Sequence, residues 1–120
     1  MSNTTLVIGA SMKESRYSNI VIHRLVAKGH SVKAFGIKEG VVSGISIDTK
    51  LEKYTGISTV TIYLSPINQK FFYNYICSLH PKRVIFNPGT ENQEFIHVLN
   101  KKQIETQIAC TLVLLSTNQY

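Results

Sequence analysis

The residues with chemical potential stand just after short β-branched runs. Gly9-Ala10-Ser11 follows the first run, and Arg16, Tyr17 and Ser18 stand where a helical pattern begins. A glycine there turns the chain sharply, and free amides at the start of the next helix face an anion, aided by the helix dipole. Ser11 adds a hydroxyl donor. Arg16 is unfavourable at a helix start unless an anion lies opposite. The turn is not GxGxxG: only its first glycine is present, and Ser11 takes the place of the second. Taken alone, it reads equally well as a phosphate cradle or as an ordinary strand-to-helix turn with a solvated arginine.

The second run ends in Ala34-Phe35-Gly36-Ile37-Lys38. An NAD-binding protein carries Asp or Glu here for the ribose hydroxyls; the nearest carboxylate is Glu39, inside the loop. Lys38 suits a ribose phosphate better, although a single lysine is most often a solvated loop charge. Leu64-Ser65-Pro66 and Asn87-Pro88-Gly89-Thr90-Glu91-Asn92 follow two later runs. Both are turn-rich and open helices, as any strand-to-helix unit requires.

Catalytic groups are sparse. His23 and His97 fall within helical patterns, and His30 and His80 at helix ends that point away from a ligand at the strand carboxyl ends. No HExxH or GxSxG spacing occurs, and Asp48 is the sole aspartate. Neither a catalytic residue nor a metal site is expected. Cys110 follows the last strand and could face a bound thiol, while Cys77 reads as packed; a small buried residue is the plainer reading of both.

These residues need a scaffold. Residues 4–8, 31–35, 58–64, 83–87 and 103–109 read as strands, and residues 16–28 as a helix capped by Ser15 and stopped by Gly29. Pro66 opens a second helix whose apolar face is Phe71, Phe72, Tyr75, Ile76 and Leu79. Thr90 caps a third. Residues 36–55 read as a connection with an extended piece near 44–47 and a helical turn near 49–54; residues 111–116 fit helix or strand. The alternation predicts a Rossmann-like α/β domain: a doubly wound, five-stranded parallel sheet with helices on both faces, in the order 3-2-1-4-5. The ligand then lies at the strand carboxyl ends.

With 120 residues, one domain is expected. A net charge of +6 favours an acidic partner, but the basic residues are mostly single, which argues against nucleic acid and for a small phosphorylated ligand. No apolar run suits a membrane span or signal peptide, so a cytoplasmic protein is expected. Oligomeric state is not legible.

The chain resembles the small stand-alone CoA-binding domain family, similar to the N-terminal domain of the succinyl-CoA synthetase α subunit. The resemblance rests on Val7-Ile8-Gly9-Ala10-Ser11, Arg16-Tyr17-Ser18, Leu25-Val26-Ala27-Lys28-Gly29-His30-Ser31-Val32, Val41-Val42-Ser43-Gly44-Ile45 and Asn87-Pro88-Gly89-Thr90-Glu91-Asn92. It implies non-catalytic binding of coenzyme A or an acyl-CoA. Gly9, Ala10 and Ser11 would hold the pyrophosphate, with Arg16, Tyr17 and Ser18 nearby; Leu64, Ser65 and Pro66 would border the adenosine; Asn87, Pro88, Gly89 and Asn92 would line the pantetheine side. The family often has Asn-Pro after the second strand; here Gly36-Ile37-Lys38 stands there, with Lys38 as the phosphate partner. The alternatives are an NADP-type enzyme and a regulatory or interaction protein that has lost the ligand.

Overall fold

A computed structural model describes residues 3–120. Seven strands form one sheet: β1 (Thr4–Ile8), β2 (Ser31–Phe35), β3 (Gly40–Val42), β4 (Ile45–Asp48), β5 (Ile57–Ile62), β6 (Arg83–Phe86) and β7 (Glu105–Ile108). Their order is β3-β4-β2-β1-β5-β6-β7, and every neighbouring pair is parallel except β3 with β4. The α/β class with a mostly parallel sheet is as expected from the sequence; the count of five strands is not.

The two extra strands come from the segment read as a connection. β3 and β4 form a hairpin in which Val42 pairs with Ile45 across Ser43 and Gly44. Both turn residues have positive φ, 50° and 79°, as a two-residue turn between twisted strands demands. β4 then pairs in parallel with β2. These strands have three and four residues and alternate in burial, so they lack the continuous apolar run of a central strand. Their insertion also corrects the strand order. The strand near residues 58–64 is not outside β2; it is β5, on the other side of β1. β4 takes the outer place, so the parallel strands alone run 3-2-1-4-5-6. The switch point lies between β1 and β5, where a doubly wound sheet opens a crevice at its carboxyl edge.

Helices cover both faces. α1 (Tyr17–Ala27) and α5 (Thr111–Ser116) lie on one face, where Val21, Ile22, Leu25 and Leu115 pack with Val7, Val32, Ala34 and Ile47. α3 (Tyr73–Ser78) and α4 (Gln93–Lys101) lie on the other, where Ile76, Phe95 and Leu99 pack with Leu6, Ile8, Val60, Ile62, Val84 and Phe86. β1 serves both: Leu6 and Ile8 point one way and Val7 the other, all essentially fully buried. Residues 111–116 are thus a helix.

Several local expectations change. Arg16, not Ser15, is the N-cap of α1, and its side chain makes no capping bond. Asn92, not Thr90, caps α4 by accepting from the Phe95 amide at 3.1 Å. The Thr90 hydroxyl instead donates to the Asn87 carbonyl at 2.7 Å. The helix opened by Pro66 is broken: α2 (Pro66–Gln69) gives way to a 3-10 turn at Lys70–Phe72 before α3 begins. Residues 49–54 carry no helical turn; Tyr54 is hydrogen-bonded to Asp48 there.

Asn87 fastens the carboxyl edge of the sheet. It is 2% exposed, and its amide donates to the Thr61 hydroxyl at 2.7 Å and the Ile62 carbonyl at 2.9 Å. Its oxygen accepts from the Thr111 amide at 2.9 Å, so one side chain joins β5, the end of β6 and the start of α5. Asn87→Ala strands buried partners of three bonds. The expected loss is about 2–4 kcal/mol, read as a lower urea midpoint with an unchanged slope.

Candidate functional site

A cavity of about 990 Å³ opens at the switch point. Three stretches wall it: the β1–α1 turn from Gly9 to Lys13 with Arg16, the end of β2 from Phe35 to Lys38, and the segment after β5 carrying Tyr63, Leu64, Ser65, Asn68, Phe71 and Phe72. Close backbone packing brings the first two together. The Gly9 and Ala10 amides both donate to the Phe35 carbonyl at 2.9 Å, so those two amides are not the free donors a phosphate turn would offer. On the other side, the Tyr63 amide donates to Ile8 at 2.9 Å.

Two glycines make this approach feasible. Gly9 has φ +94°, and a Cβ there would lie 3.1 Å from the Tyr63 carbonyl carbon and oxygen. Gly36 is tighter: its Cβ would lie 2.3 Å from the Ala10 carbonyl oxygen. The residue that departs from the family pattern is therefore required by the turn it faces.

Beyond Ala10, the turn faces the opening. The amides of Ser11 and Met12 make no hydrogen bond among the described residues. The Ser11 hydroxyl accepts from the Lys13 amide at 3.1 Å, leaving its proton to donate. The Asn19 side chain holds the Ser11 carbonyl at 3.0 Å from within α1. Lys13, Arg16 and Lys38 supply positive charge, and no Asp or Glu lines the cavity. The floor is apolar, with Phe35, Leu64 and Phe72. Cations over an apolar floor suit an amphipathic anion.

The CoA binding domain family matches residues 3–116. The chain belongs to this family. A crystal structure of an uncharacterized protein is 44% identical, covers 100% of this chain and 99% of its own, and superposes with a TM-score of 0.96. A Thermus thermophilus protein at 19% identity, covering 99% of this chain and 91% of its own with a TM-score of 0.86, shares the fold. So does a conserved hypothetical protein from Pyrococcus furiosus, at 22% identity and a TM-score of 0.79, covering 94% of this chain and 98% of its own. No curated protein matches the chain.

Of the positions that resemblance to the CoA-binding family marks, the structure gathers Gly9, Ala10, Ser11, Arg16, Lys38, Leu64 and Ser65 on the cavity wall. The others stand elsewhere. Tyr17 is 71% exposed and Ser18 is buried under the turn. Pro66 heads α2 outside the wall. Asn87 is committed to the network described above, and Asn92 to its cap, to Gln69 at 3.0 Å and to Tyr73 at 2.8 Å. Pro88 and Gly89 are exposed on the loop between them, and the Gly89 amide is taken by Glu91 at 2.8 Å. Cys110 caps α5 and does not line the cavity.

Sequence reasoning passed over Met12, Lys13, Ile37, Tyr63, Asn68 and Phe71 as cavity residues, and it assigned Phe71 to a buried helix face; Phe71 is in fact 83% exposed. Adjacent residues can share one helix face, as Val21 and Ile22 do on α1, so the pattern alone did not separate Phe71 from Phe72.

Tyr63 carries an unusual polar atom. Its hydroxyl is buried without a hydrogen-bond partner, beside Thr61 and Thr111, which are bonded to each other at 2.9 Å. Burial pushes its pKa up to about 12, with a lesser downward pull from the Thr61 and Thr111 hydroxyls.

Two outcomes follow. Gly36→Ala forces a methyl into the Ala10 carbonyl and should cost about 1–3 kcal/mol, seen as a drop of roughly 5–15 °C in Tm. Tyr63→Phe removes an unpartnered hydroxyl, so stability at pH 7 should hold or rise by up to about 1 kcal/mol. A phenol with a raised native pKa stabilises fully below the unfolded value of 10.0 and loses that contribution as pH climbs to about 12. The same variant should therefore flatten the fall in Tm between those two pH values; a lower Tm at pH 7 counts against the unpartnered state.

Proposed function

We propose that this chain binds coenzyme A or an acyl-CoA, without turning it over, in the cavity at the β1–β5 switch point. The observation that carries this reading is one cavity with an apolar floor, three cations and no carboxylate, in a chain of the CoA binding domain family. The residues fit the ligand. The Ser11 hydroxyl, the Ser11 and Met12 amides and Arg16 suit the pyrophosphate. Lys38, with Lys13 beside the same opening, suits the ribose phosphate, where an NAD site would carry a carboxylate. Leu64 and Ser65 border the adenosine.

Asn87 and Asn92 serve the pantetheine side indirectly, holding the loop that carries Pro88 and Gly89 while their own polar atoms stay occupied. When bound, CoA supplies a thiol able to carry an acyl group. No histidine, cysteine or carboxylate lines the cavity among the described residues, which supports binding over catalysis. No helix among them is long and apolar enough to cross a membrane.

Thermal shift tests this directly. Millimolar CoA should raise Tm more than dephospho-CoA, NAD or NADP, since ligand at about 100 times its Kd adds about 2.7 kcal/mol. Lys38→Ala should erase most of the gap between CoA and dephospho-CoA. Arg16→Ala should raise the Kd for both by about tenfold, the weight of one charge-assisted bond. No shift with CoA overturns the reading.

A further inference from the structure

Phe71 is conspicuous. A phenylalanine 83% exposed to solvent stands at the cavity wall, while its neighbour Phe72 packs inward edge-to-face on Phe35, ring centroids 5.4 Å apart at 68°. Two independent anchors hold the backbone between them. Gln69 is 1% exposed, and its amide donates at 2.8 Å to both the Leu64 and the Thr90 carbonyls while its oxygen accepts from Asn92 at 3.0 Å. Phe72 is the second anchor, the residue after Phe71 on the 3-10 turn. On a 3-10 turn successive side chains stand about 120° apart, so Phe72 packs inward while Phe71 faces solvent. Phe71 is thus a large apolar ring exposed on a fixed backbone, the arrangement that spares a ligand the cost of ordering its own platform.

Its position narrows the ligand group. Phe35 ends β2, so the Phe35–Phe72 contact carries the turn from the end of β5 over β1 to the end of β2. Ile37, 91% exposed, and Lys38 line the cavity from that end. Phe71, Ile37 and Lys38 line one cavity, and an aromatic face, an aliphatic side chain and a cation together match a planar base on a phosphorylated ribose. The small amides of a flexible aliphatic chain offer far less stacking area than a purine.

We infer that Phe71 is a specificity-determining residue whose ring stacks on the purine base of the bound ligand, with Ile37 bounding the same base site; this rests on the CoA-binding reading. Stacking on a base acts on every ligand that carries one and on none that lacks it.

The test is calorimetric titration of the full chain with CoA, 3′,5′-ADP and 4′-phosphopantetheine. Phe71→Ala should weaken CoA and 3′,5′-ADP about tenfold or more and leave 4′-phosphopantetheine within about twofold, with Phe71→Tyr restoring both base-bearing ligands. An unchanged Kd for CoA, or an equal loss for all three ligands, overturns the platform while leaving CoA binding intact. Wild-type protein that binds neither CoA nor 3′,5′-ADP overturns the functional reading and the platform with it. A second readout does not depend on the alanine variant. The chain has no tryptophan, so Phe71→Trp supplies a lone indole whose fluorescence CoA and 3′,5′-ADP should quench and 4′-phosphopantetheine should not. Equal quenching by 4′-phosphopantetheine overturns the base assignment.

Discussion

The carbonyl of Phe35 is the point on which the site depends. It accepts two amides, Gly9 and Ala10, each at 2.9 Å, and so closes the β1–α1 turn against the end of β2. Both lone pairs are used at one oxygen, and each bond is worth about 1 kcal/mol net. The geometry matters more than the energy. With the turn drawn down at Gly9 and Ala10, the next two amides and the Ser11 hydroxyl are left facing the opening. Gly36 permits the closure from one side and Gly9 from the other, where the Tyr63 backbone abuts it. A conformational demand and a steric one meet at the same three strand ends.

Around this clasp the polar network is organised to keep the carboxyl edge of the sheet rigid. Asn87 ties β5, β6 and α5 together, and Gln69 with Asn92 ties the segment after β5 to the loop before α4. Each is buried, and each has its hydrogen-bonding capacity largely filled by named partners. Such side chains set the shape of the carboxyl edge of the sheet. Tyr63 departs from this thrift, with a hydroxyl interred beside a pair of threonines that satisfy each other.

What the sequence disclosed follows from scale. Short apolar or β-branched stretches declared β1, β2, β5 and β6, and a 3.6-residue period declared α1 and α4. The extended piece near residues 44–47 is β4, but β3 and the place of β4 beside β2 escaped because three or four residues of half-buried strand carry too little pattern, and missing that pairing misplaced β5 in the order. The glycine, serine and arginine of the first turn were legible because their chemistry is local. The bracing bonds of Asn87 and Asn92 were not legible, because polar side chains after a strand look alike in sequence and their partners lie 19 to 26 residues away along the chain. Phe71 was hidden by its neighbour, since a helical stripe through Phe72, Ile76 and Leu79 absorbs an adjacent aromatic unless the helix breaks, and the break is a tertiary effect.

The cavity wall runs only from Gly9 to Phe72. The last third of the chain, β6, β7, α4 and α5, contributes no wall residue, yet it holds the far ends of the Asn87 and Asn92 braces. Recognition and support are thereby assigned to separate stretches of one polypeptide. Ile108 and Val113 in the second stretch are exposed and stand away from the cavity wall. The two asparagines are the joints through which drift in the scaffold would reach the ligand.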